Sequence, residues 1–586
     1  MAESMQWAYR AQKRLGVHAG VPEFPALSGF DGNHVGARML QYSPNGKYLA
    51  VALEESIAIY EVGDAQVSLR HQLPVAKGIE LSFSPKGTYL STWERPAKTE
   101  HENGASWSKN LRVWETSTGA PLAEFERRQL EGCFFQFNET ETHCVRQAGS
   151  ELQVYEPSKL AQGPVGRLRL ENIGTFQLGP GPQPSVAVFF PEKKGAPAFV
   201  KVYALSALLT PTPAHVAQKS FFKADKVTFK WNAAGTSLLL MTATDHDQTG
   251  KSYYGETNLY MLSARGDFDC RVSLDKEGPI HDFAWNPNSR EFVVIYGYMP
   301  AKAVIFSYRV NIIAELGTQP RNFIAFNPQG RLFCMAGFGN LAGTVDIWDR
   351  ENLKNGKLFT LDASNSTVLE WSPDGQYILT GTLSPRLRVE NGVKIWHCSG
   401  QLVHVYMVDE TYQVSLRPSG EAPPPFPKDI PPAPQASAAA AEVVAKKTTT
   451  ARPTGAYRPP GARSSGASTS DYLRRGEDLG PAPAPAQQKY TAPAGRGKKK
   501  VPGAPPGAAP PAPKAAPKSA MGAADVGANN SEAGSTEKRL RNLSKKLKAI
   551  EQLKDRRDKG EVLEQTQLQK IESEGEIRTE LRSLGG

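Results

Sequence analysis

The sequence predicts an all-β fold, a WD-like β-propeller that is followed by a disordered linker and a C-terminal α-helical tail. Three observations lead to this prediction. A strand–turn–strand signature recurs throughout residues 1–420, and a second strand follows most copies at a similar distance. After residue 420 the composition changes abruptly to Pro, Ala, Gly and Ser. Two hairpins in each repeat of this period are typical of propeller blades, in which every repeat forms one small sheet.

The repeated signature consists of an apolar pair, a turn of the Ser/Asn-Pro-x-Gly type and an apolar strand. Proline presets φ and glycine tolerates positive φ, so this combination favours a tight turn between two strands. Nine copies can be recognised, and their turns are spaced by 41 to 54 residues. We therefore expect nine blades. The copies begin at Gln41, Leu81, Phe135, Phe176, Phe229, Phe283, Ile324, Leu369 and Val414.

The second strands alternate β-branched and aromatic residues, a pattern that indicates half-buried strands. They begin at Ile57, Leu111, Leu152, Val200, Thr257, Ala303, Val345 and Val393. The ninth copy has its turn at Pro418 but no such strand after it. A closed ring needs both chain ends in one blade, because two sheet edges would otherwise stay unpaired. We therefore expect residues near 5–19 to complete the ninth blade.

The remainder of the chain divides into two further segments. Residues 421–535 lack apolar periodicity, cannot bury enough surface to offset their chain entropy, and are predicted to be a disordered linker. Residues 536–586 regain a helical pattern and are predicted to form a basic helix followed by an acidic one. The apolar stripes of the two helices are Leu540, Leu543, Leu547, Ile550 and Leu553, then Leu568, Ile571, Ile577 and Leu581.

The net charge of +10 belongs entirely to the part of the chain after the repeats. Residues 421–586 hold 28 Lys and Arg against 18 Asp and Glu, whereas residues 1–420 hold 41 of each. A basic appendage on a neutral body indicates a polyanionic partner, and we predict salt-dependent contact with phosphate groups. The alternative is a helical hairpin whose charges are only solvated. The predicted contact residues are Lys538, Arg539, Arg541, Lys545, Lys546, Lys548, Lys554, Arg556, Arg557 and Lys559.

Two segments have the spacing of nucleotide or metal sites but are interpreted as structural. The glycine spacing of Gly337–Gly343 resembles a dinucleotide-binding fingerprint, but the spacing before the last glycine is one residue too long. The segment also joins two predicted strands and does not open a helix, so we predict a β-turn. Residues 245–256 include a Gly-Lys-Ser sequence, but Asp245 occupies the first glycine position of a P-loop. The same segment has nearly the ligand spacing of an EF-hand, although Thr249 and flanking strands depart from that motif. We predict no catalytic residue, no metal and no cofactor.

The cysteines and the first residues of the sequence indicate the cellular compartment in which the protein is expected. Five scattered cysteines without CxxC spacing fit a reducing environment. Residues 1–7 contain an acidic residue and no apolar core of a signal peptide, and the apolar runs are too short to cross a bilayer. We expect a soluble, cytoplasmic monomer without membrane contact.

Five longer strings within residues 30–420 carry a recognisable signature. They are Lys219–Asn232, Thr249–Glu256, Gly297–Ala303, Gly337–Leu341 and Arg386–Trp396. Together they resemble the eukaryotic translation initiation factor 2A family. In the tail, Ala456–Pro460 is similar to an island of that family, and the helix around Leu540–Leu553 is similar to its end.

The resemblance implies a cytoplasmic factor that associates with the small ribosomal subunit. It further implies that the factor helps initiator methionyl-tRNA to bind in a codon-dependent manner without GTP, and the lack of an intact P-loop agrees with the last point. Messenger RNA and other initiation factors are further expected partners. On this interpretation the basic helix contacts ribosomal or tRNA phosphate, and the propeller docks on a ribosomal protein or on rRNA.

Other interpretations remain open. The chain could be a ribosome-associated scaffold, in which the propeller gathers proteins and the tail merely tethers it to ribosomes. Subunit b of initiation factor 3 is also similar in having a large propeller, but an RNA-recognition domain would be expected ahead of its repeats. A propeller hydrolase is disfavoured because no nucleophile constellation can be recognised.

Overall fold

The computed structural model describes residues 5–450, except 31, 33–35, 102–103, 131, 133, 194–195, 245–254 and 385. In the C-terminal region it describes Leu547, Ile550, Glu551, Lys554, Ile571, Glu574, Gly575, Arg578 and Thr579. The chain divides into two units, Met1–Ser464 and Ser465–Gly586, and each is treated by itself.

Nine antiparallel sheets succeed one another within the described residues of the first unit, so the predicted nine-bladed propeller is confirmed. Eight sheets have four strands and the ninth has three. In each blade the strands pair in chain order, and the first strands of neighbouring blades contact each other. The first strands therefore surround the propeller axis, and the fourth strands form the outer edge.

The first four blades contain these strands. The chain begins with β1 (Gln6–Ala11) and β2 (Leu15–Ala19), which belong to blade 9. Blade 1 has β3 (Met39–Tyr42), β4 (Tyr48–Ala52), β5 (Ile57–Val62) and β6 (Val67–Leu73). Blade 2 has β7 (Glu80–Phe83), β8 (Tyr89–Trp93), β11 (Leu111–Glu115) and β12 (Pro121–Phe125), with the hairpin β9 (Lys98–His101) and β10 (Gly104–Trp107) inserted. Blade 3 has β13 (Gln136–Phe137), β14 (Cys144–Ala148), β15 (Glu151–Tyr155) and β16 (Gly166–Arg169). Blade 4 has β17 (Thr175–Leu178), β18 (Ser185–Phe190), β19 (Ala198–Ala204) and β20 (Ala217–Phe221).

The remaining blades complete the ring. Blade 5 has β21 (Lys226–Trp231), β22 (Ser237–Ala243), β23 (Thr257–Ser263) and β24 (Asp269–Arg271). Blade 6 has β25 (Ile280–Trp285), β26 (Glu291–Tyr296), β27 (Ala301–Ser307) and β28 (Ile312–Gln319). Blade 7 has β29 (Phe323–Phe326), β30 (Leu332–Ala336), β31 (Thr344–Asp349) and β32 (Lys357–Asp362). Blade 8 has β33 (Val368–Trp371), β34 (Tyr377–Thr382), β35 (Gly392–His397) and β36 (Leu402–Met407), and blade 9 starts with β37 (Thr411–Leu416). Short 3-10 helices cover Pro157–Gln162, Leu205–Leu209 and Arg350–Asn355.

The repeated turn begins with Ser or Asn because the side-chain oxygen of this residue accepts a backbone hydrogen bond. In blade 1 the hydroxyl of the buried Ser43 accepts a hydrogen bond from the Tyr48 amide, five residues later, at 2.9 Å. Asn327 does the same for the Leu332 amide at 3.0 Å through its side-chain oxygen. These bonds satisfy a buried donor at the start of the second strand. The same bond is made by Ser84, Asn138, Asn232 and Ser372.

Blade 9 joins the two ends of the propeller. Strand β1 pairs antiparallel with β37, and Trp7 lies opposite Leu416. Strand β2 adds to the other side of β1. Trp7 is fully buried, stacks on His18 with ring centroids 4.6 Å apart, and meets Tyr406 of blade 8 edge-on at 5.5 Å. Residues 5–19 therefore occupy the closing blade, the position in which the sequence leads us to expect them.

Side chains on the first strands connect neighbouring blades. The Gln413 side chain of blade 9 accepts from the Leu40 amide of blade 1 at 3.1 Å and donates to the Leu40 carbonyl at 2.6 Å. At other blade boundaries a side-chain oxygen likewise accepts a backbone N–H from the next first strand. These pairs are Gln136 with Leu178, Asp282 with Ile324, and Glu370 with Leu416.

The segment directly after the propeller differs from the prediction of a disordered linker. Pro424 and Pro427 donate no N–H, but their carbonyls accept hydrogen bonds from Gln329 and Arg331 of blade 7. The helix α1 (Ala438–Thr450) follows, and Ala440 is fully buried beside blade 8. The apolar face of α1 consists of few, small residues, so the composition of the stretch concealed it. For residues 421–450 the prediction is wrong; residues 451–535 lie outside the described part.

Truncation of Trp7 tests the closing blade. We expect Trp7→Ala to lower the stability of the propeller by about 3–5 kcal/mol, because it removes a fully buried indole from the junction of blades 8 and 9. Thermal and urea unfolding of the full-length protein measure the effect. The matched control is Phe222→Ala, since that ring is 77% exposed and its loss should change stability by no more than about 0.5 kcal/mol. Equal effects of the two truncations would contradict the assigned role of the closing blade.

Two histidines at the same junction make its stability dependent on pH. Burial lowers the pKa of His404 from 6.5 to about 4, and the nearby His18 lowers it further in the same direction. Burial also lowers the pKa of His18. The His404 ring stacks on Phe24 with centroids 4.2 Å apart, and its Nδ1 is bonded to the Ser437 hydroxyl. Both rings are therefore neutral in the folded protein near neutral pH.

Acidification should weaken this junction. Between about pH 6.5 and pH 4 the unfolded chain binds a proton at His404 and the folded protein does not, so stability is fully present above this interval and falls within it. The lowered pKa of His18 acts in the same direction. We expect His404→Phe, which keeps the ring stack, to reduce that loss by on the order of 1–3 kcal/mol. Urea unfolding at a series of pH values measures it. His215→Phe, at an exposed histidine, is the control, and an unchanged pH dependence in His404→Phe would refute the assignment.

Candidate functional site

The two faces of the propeller carry different connections. The Ser/Asn-Pro-x-Gly turns between first and second strands lie on one face, which we call the turn face. The connections between second and third strands, together with those between successive blades, lie on the opposite face, which we call the loop face. On the loop face of blades 5 to 8 the second-to-third connections span residues 244–256, 297–300, 337–343 and 383–391.

The strings that carry the family resemblance meet on this loop face. Gly297–Ala303 includes the connection between β26 and β27, and Gly337–Leu341 lies in the connection between β30 and β31. Arg386–Trp396 begins in the connection between β34 and β35. Lys219–Asn232 contains the link from blade 4 to blade 5, and the described residues of Thr249–Glu256 precede β23. Segments that lie up to 170 residues apart in the chain are thus gathered at one end of four blades.

A cavity of about 1010 Å³ opens among these connections. Its walls are mostly apolar and aromatic, and Arg386 and His281 are the basic side chains among the described residues that line it. Tyr298 and Met299 form part of the rim and are 46% and 39% exposed. Concave sites with an apolar lining and a few polar groups are typical of ligand-binding sites. Further lining residues include Ile280, Asn322, Phe323, Phe338, Asn340 and Leu341.

The Arg386 side chain lies across the connection of blade 7. Its Nη2 donates to the Asn340 side-chain oxygen at 3.4 Å. Gly339 has a φ of +80°, and a Cβ there would come within 2.9 Å of the same Nη2. Glycine is therefore favoured at position 339 for two reasons: it adopts the left-handed backbone conformation without strain, and it has no Cβ to obstruct the guanidinium group. Arg386 remains exposed to solvent, and no carboxylate in the described part of the chain forms an ion pair with it.

A buried ion pair supports the wall of the cavity. Arg321, in the connection from blade 6 to blade 7, donates to Asp346 at 2.7 Å and 3.1 Å. The two residues are 5% and 0% exposed, and Lys357 and Thr360 also bond to the Asp346 carboxylate. Removing one partner of such a pair leaves an uncompensated buried charge, so the arrangement is rigidly defined. The pair thereby holds the short connection that precedes the cavity residues of β29.

Neighbouring connections are also bonded to one another. The Asn322 side chain accepts from the Phe338 amide at 2.8 Å and donates to the Phe338 carbonyl at 3.0 Å. The Tyr298 amide donates to the Glu277 carbonyl at 3.0 Å, and His281 Nε2 lies 2.8 Å from the Gly297 carbonyl. The cavity is thus built from loops held in place by hydrogen bonds, which favours a pre-formed binding site.

The predicted phosphate-contact residues fall almost entirely outside the described part of the chain. Lys554 is the described one, and it is helical and paired with Glu574 of the following segment. Arg578 also pairs with Glu574, at 2.9 Å, and hydrogen bonds from these two basic residues lower the pKa of that carboxyl group. Ile550, which belongs to the predicted apolar stripe, is buried. The other predicted contacts are Lys538, Arg539, Arg541, Lys545, Lys546, Lys548, Arg556, Arg557 and Lys559.

The motif-like segments behave as structural connections where they are described. Gly337–Gly343 joins β30 to β31, which confirms the predicted β-turn. Residues 245–254 lie outside the described residues, and the strands β22 and β23 flank them.

Burial raises the pKa of the Cys398 thiol to about 12, and burial also raises the pKa of the Cys334 thiol. Among the described residues no group of His, Cys, Asp and Glu has the geometry to hold a metal ion.

Among the described residues, no helix combines the length and the apolar character that a bilayer crossing requires.

Comparisons with known proteins agree with the propeller and extend to the tail. The family model described as eukaryotic translation initiation factor eIF2A matches residues 219–414, which include the cavity. The model described as the eukaryotic translation initiation factor 2A C-terminal domain matches residues 538–584, which include the predicted basic helix. Both parts of the chain therefore match models of a single factor.

Full-length relatives give the same result. Eukaryotic translation initiation factor 2A of Schizosaccharomyces pombe is 42% identical over 598 residues, covering 100% of this chain and 99% of that protein. The Saccharomyces cerevisiae factor of the same name is 34% identical and covers 93% of each chain. A solved structure described as a crystal structure of the eukaryotic initiation factor is 41% identical, with a TM-score of 0.64, over 71% of this chain and 99% of that one.

The fold and the comparisons define a propeller-bearing translation initiation factor. The alignments with the two full-length relatives cover 100% and 93% of this chain, and they identify the family within this class of protein. The chain belongs to the eukaryotic translation initiation factor 2A family.

The loop-face cavity is absent from the candidate sites predicted from the sequence. A usable signal existed, because four of the five family strings include residues between the second and third strands of successive repeats, in blades 5 to 8. Binding residues are disproportionately found on loops that a rigid scaffold positions. No single string matches an intact catalytic or phosphate-binding motif, so the regularity becomes visible only when the repeats are aligned with one another.

Proposed function

We propose that this initiation factor binds the small ribosomal subunit and promotes codon-dependent, GTP-independent binding of initiator methionyl-tRNA. The observation that carries the proposal is the location of the entire +10 charge after residue 420, together with the match of residues 538–584 to the C-terminal domain of the family. The proposed site of action is the cytoplasm, and messenger RNA and other initiation factors are the further partners.

The physical argument concerns phosphate contacts. The segment from Lys538 to Lys559 contains ten basic side chains, which can neutralise several phosphates at once and release their counterions. The pairing of Lys554 with Glu574 uses one of these charges within the tail itself. The remaining nine supply the proposed contact with ribosomal RNA or tRNA. GTP independence is supported by the sequence of residues 245–256, which departs from a P-loop at Asp245.

The alternative scaffold function has one observation in its favour. The pre-formed cavity on the loop face of blades 5 to 8 has the apolar, aromatic lining of a site for protein or peptide ligands. A scaffold and a tRNA-binding factor differ in what the tail does. In the scaffold it only tethers the propeller, whereas in the proposed function it contributes to tRNA binding.

Co-sedimentation with purified small ribosomal subunits over a salt series tests the anchor. We expect full-length protein to bind with an affinity that falls by about 10³–10⁵-fold between about 50 and 200 mM salt, as for six to ten phosphate contacts. The test variant changes five tail residues to glutamate, and its binding should be weak and only slightly dependent on salt. These residues are Lys545, Lys546, Lys548, Arg556 and Arg557.

A control variant reverses the same number of lysines and arginines on the propeller surface and should bind like the wild type. Its five substitutions to glutamate are at the exposed residues Lys77, Lys193, Lys354, Arg265 and Arg290. A truncation after Ser464, at the boundary of the first unit, completes the set. Full binding by the truncated protein would mean that the neutral propeller anchors the factor, and the role assigned to the tail would be wrong.

Direct tRNA binding separates the two functions. We expect full-length protein to bind initiator tRNA in preference to elongator tRNA, and a chain lacking residues 536–586 to bind much less of it, because the phosphate contacts are lost. Filter binding or fluorescence anisotropy at a fixed salt concentration measures both. If neither chain prefers initiator tRNA, the delivery function fails and the scaffold alternative gains.

A further inference from the structure

The loop face of blades 5 to 8 concentrates exposed apolar side chains. Tyr298 and Met299 stand beside the cavity, and Val389 is 60% exposed on the connection of blade 8. Phe222, on the link between blades 4 and 5, is 77% exposed. Tyr298 and Met299 also line the cavity, and exposed apolar side chains that adjoin a concave site are typical of interaction sites.

Among the described residues that line the cavity, Arg386 supplies a charge that can anchor a ligand. Arg386 lines it, is exposed, and forms no ion pair with a described carboxylate. Its contact with Asn340 at 3.4 Å uses one guanidinium N–H, so other donors point to solvent. A guanidinium in this position matches a carboxylate, with which it can form two parallel hydrogen bonds.

The balance of charge and apolar surface distinguishes between classes of partner. Binding to RNA is driven by several lysines and arginines that face phosphates, and the described residues that line this cavity include one arginine and no lysine. Protein interfaces are instead enriched at their centre in aromatic residues, Met and Arg. Tyr298, Met299, Phe323 and Arg386 are of these types. The composition favours a protein segment over a nucleic acid.

We propose that the loop-face cavity of blades 5 to 8 is a docking site for an extended segment of a partner protein that carries an apolar anchor next to an acidic residue. The anchor side chain enters the cavity near Met299, Phe323 and Leu341. The acidic side chain pairs with Arg386 at the rim. This site is separate from the phosphate contacts of the tail, so its failure would leave the proposed function untouched.

Peptide selection on the full-length protein provides the test. Random peptides displayed on phage are selected against wild-type protein, and enriched sequences are titrated as labelled peptides by fluorescence anisotropy. We expect these sequences to combine an aromatic or aliphatic anchor with Asp or Glu. Arg386→Glu should raise their Kd by about tenfold or more, since it turns an attractive charge pair into a repulsive one. Met299→Asp should weaken binding similarly.

Matched controls separate the site from general effects of charge. Arg290→Glu on the turn face and Ile312→Asp on the outer edge of blade 6 change exposed residues of the same types, and should alter Kd by less than about twofold. A peptide whose acidic residue is replaced by lysine should regain affinity for Arg386→Glu. Thermal unfolding of each variant establishes that it is folded.

Several results would overturn the proposal. They are the absence of enriched peptides, enriched peptides without an acidic residue, and equal binding by wild-type protein and Arg386→Glu. Displacement of the peptides by oligouridine RNA would identify the face as an RNA site instead. The proposal would be supported if the lysine-containing peptide regained affinity for Arg386→Glu while the two control substitutions left the Kd unchanged.

Discussion

Closure of the ring is the constraint on which the rest of this propeller depends. Nine sheets can satisfy their inner strands only if the last one contacts the first. The pairing of β1 with β37 achieves this with strands from the beginning and the end of the propeller. The Gln413 side chain then bonds both backbone groups of Leu40 across the boundary. Because every blade borders two others, a loss of packing at Trp7 affects the ring and not one blade alone.

Ring closure also determines where the functional surfaces lie. It directs the turns built on buried Ser and Asn side chains to one face and the variable connections to the other. The turn face is partly covered by residues 421–437, whose carbonyls bond to blade 7, and α1 then packs beside blade 8. The loop face of blades 5 to 8 holds the cavity, and no described residue of 421–450 lines that cavity. A rigid scaffold with open loops is the arrangement on which binding sites are commonly built.

Two kinds of surface thus serve one factor. The tail holds the excess of basic residues, and the contacts proposed for it are long-ranged and sensitive to salt. The described residues of the cavity combine apolar side chains with Arg386, and the binding proposed there depends on shape and close contact. The family match covers both parts, residues 219–414 and 538–584. In the proposed function the tail binds RNA, and in the further proposal the cavity binds a segment of a partner protein.

The sequence by itself determined the fold class, the number of blades and the location of the charge. These follow from local rules, since strand alternation and the Pro-Gly turns act within about ten residues and charge is a sum over residues. Only the tertiary structure decided which side chains meet at the cavity, because Arg386 reaches Gly339 across a blade boundary that no local pattern encodes. It also decided the fate of residues 421–450. Their small apolar face is stabilised by blade 8, and the composition of the segment alone indicates disorder.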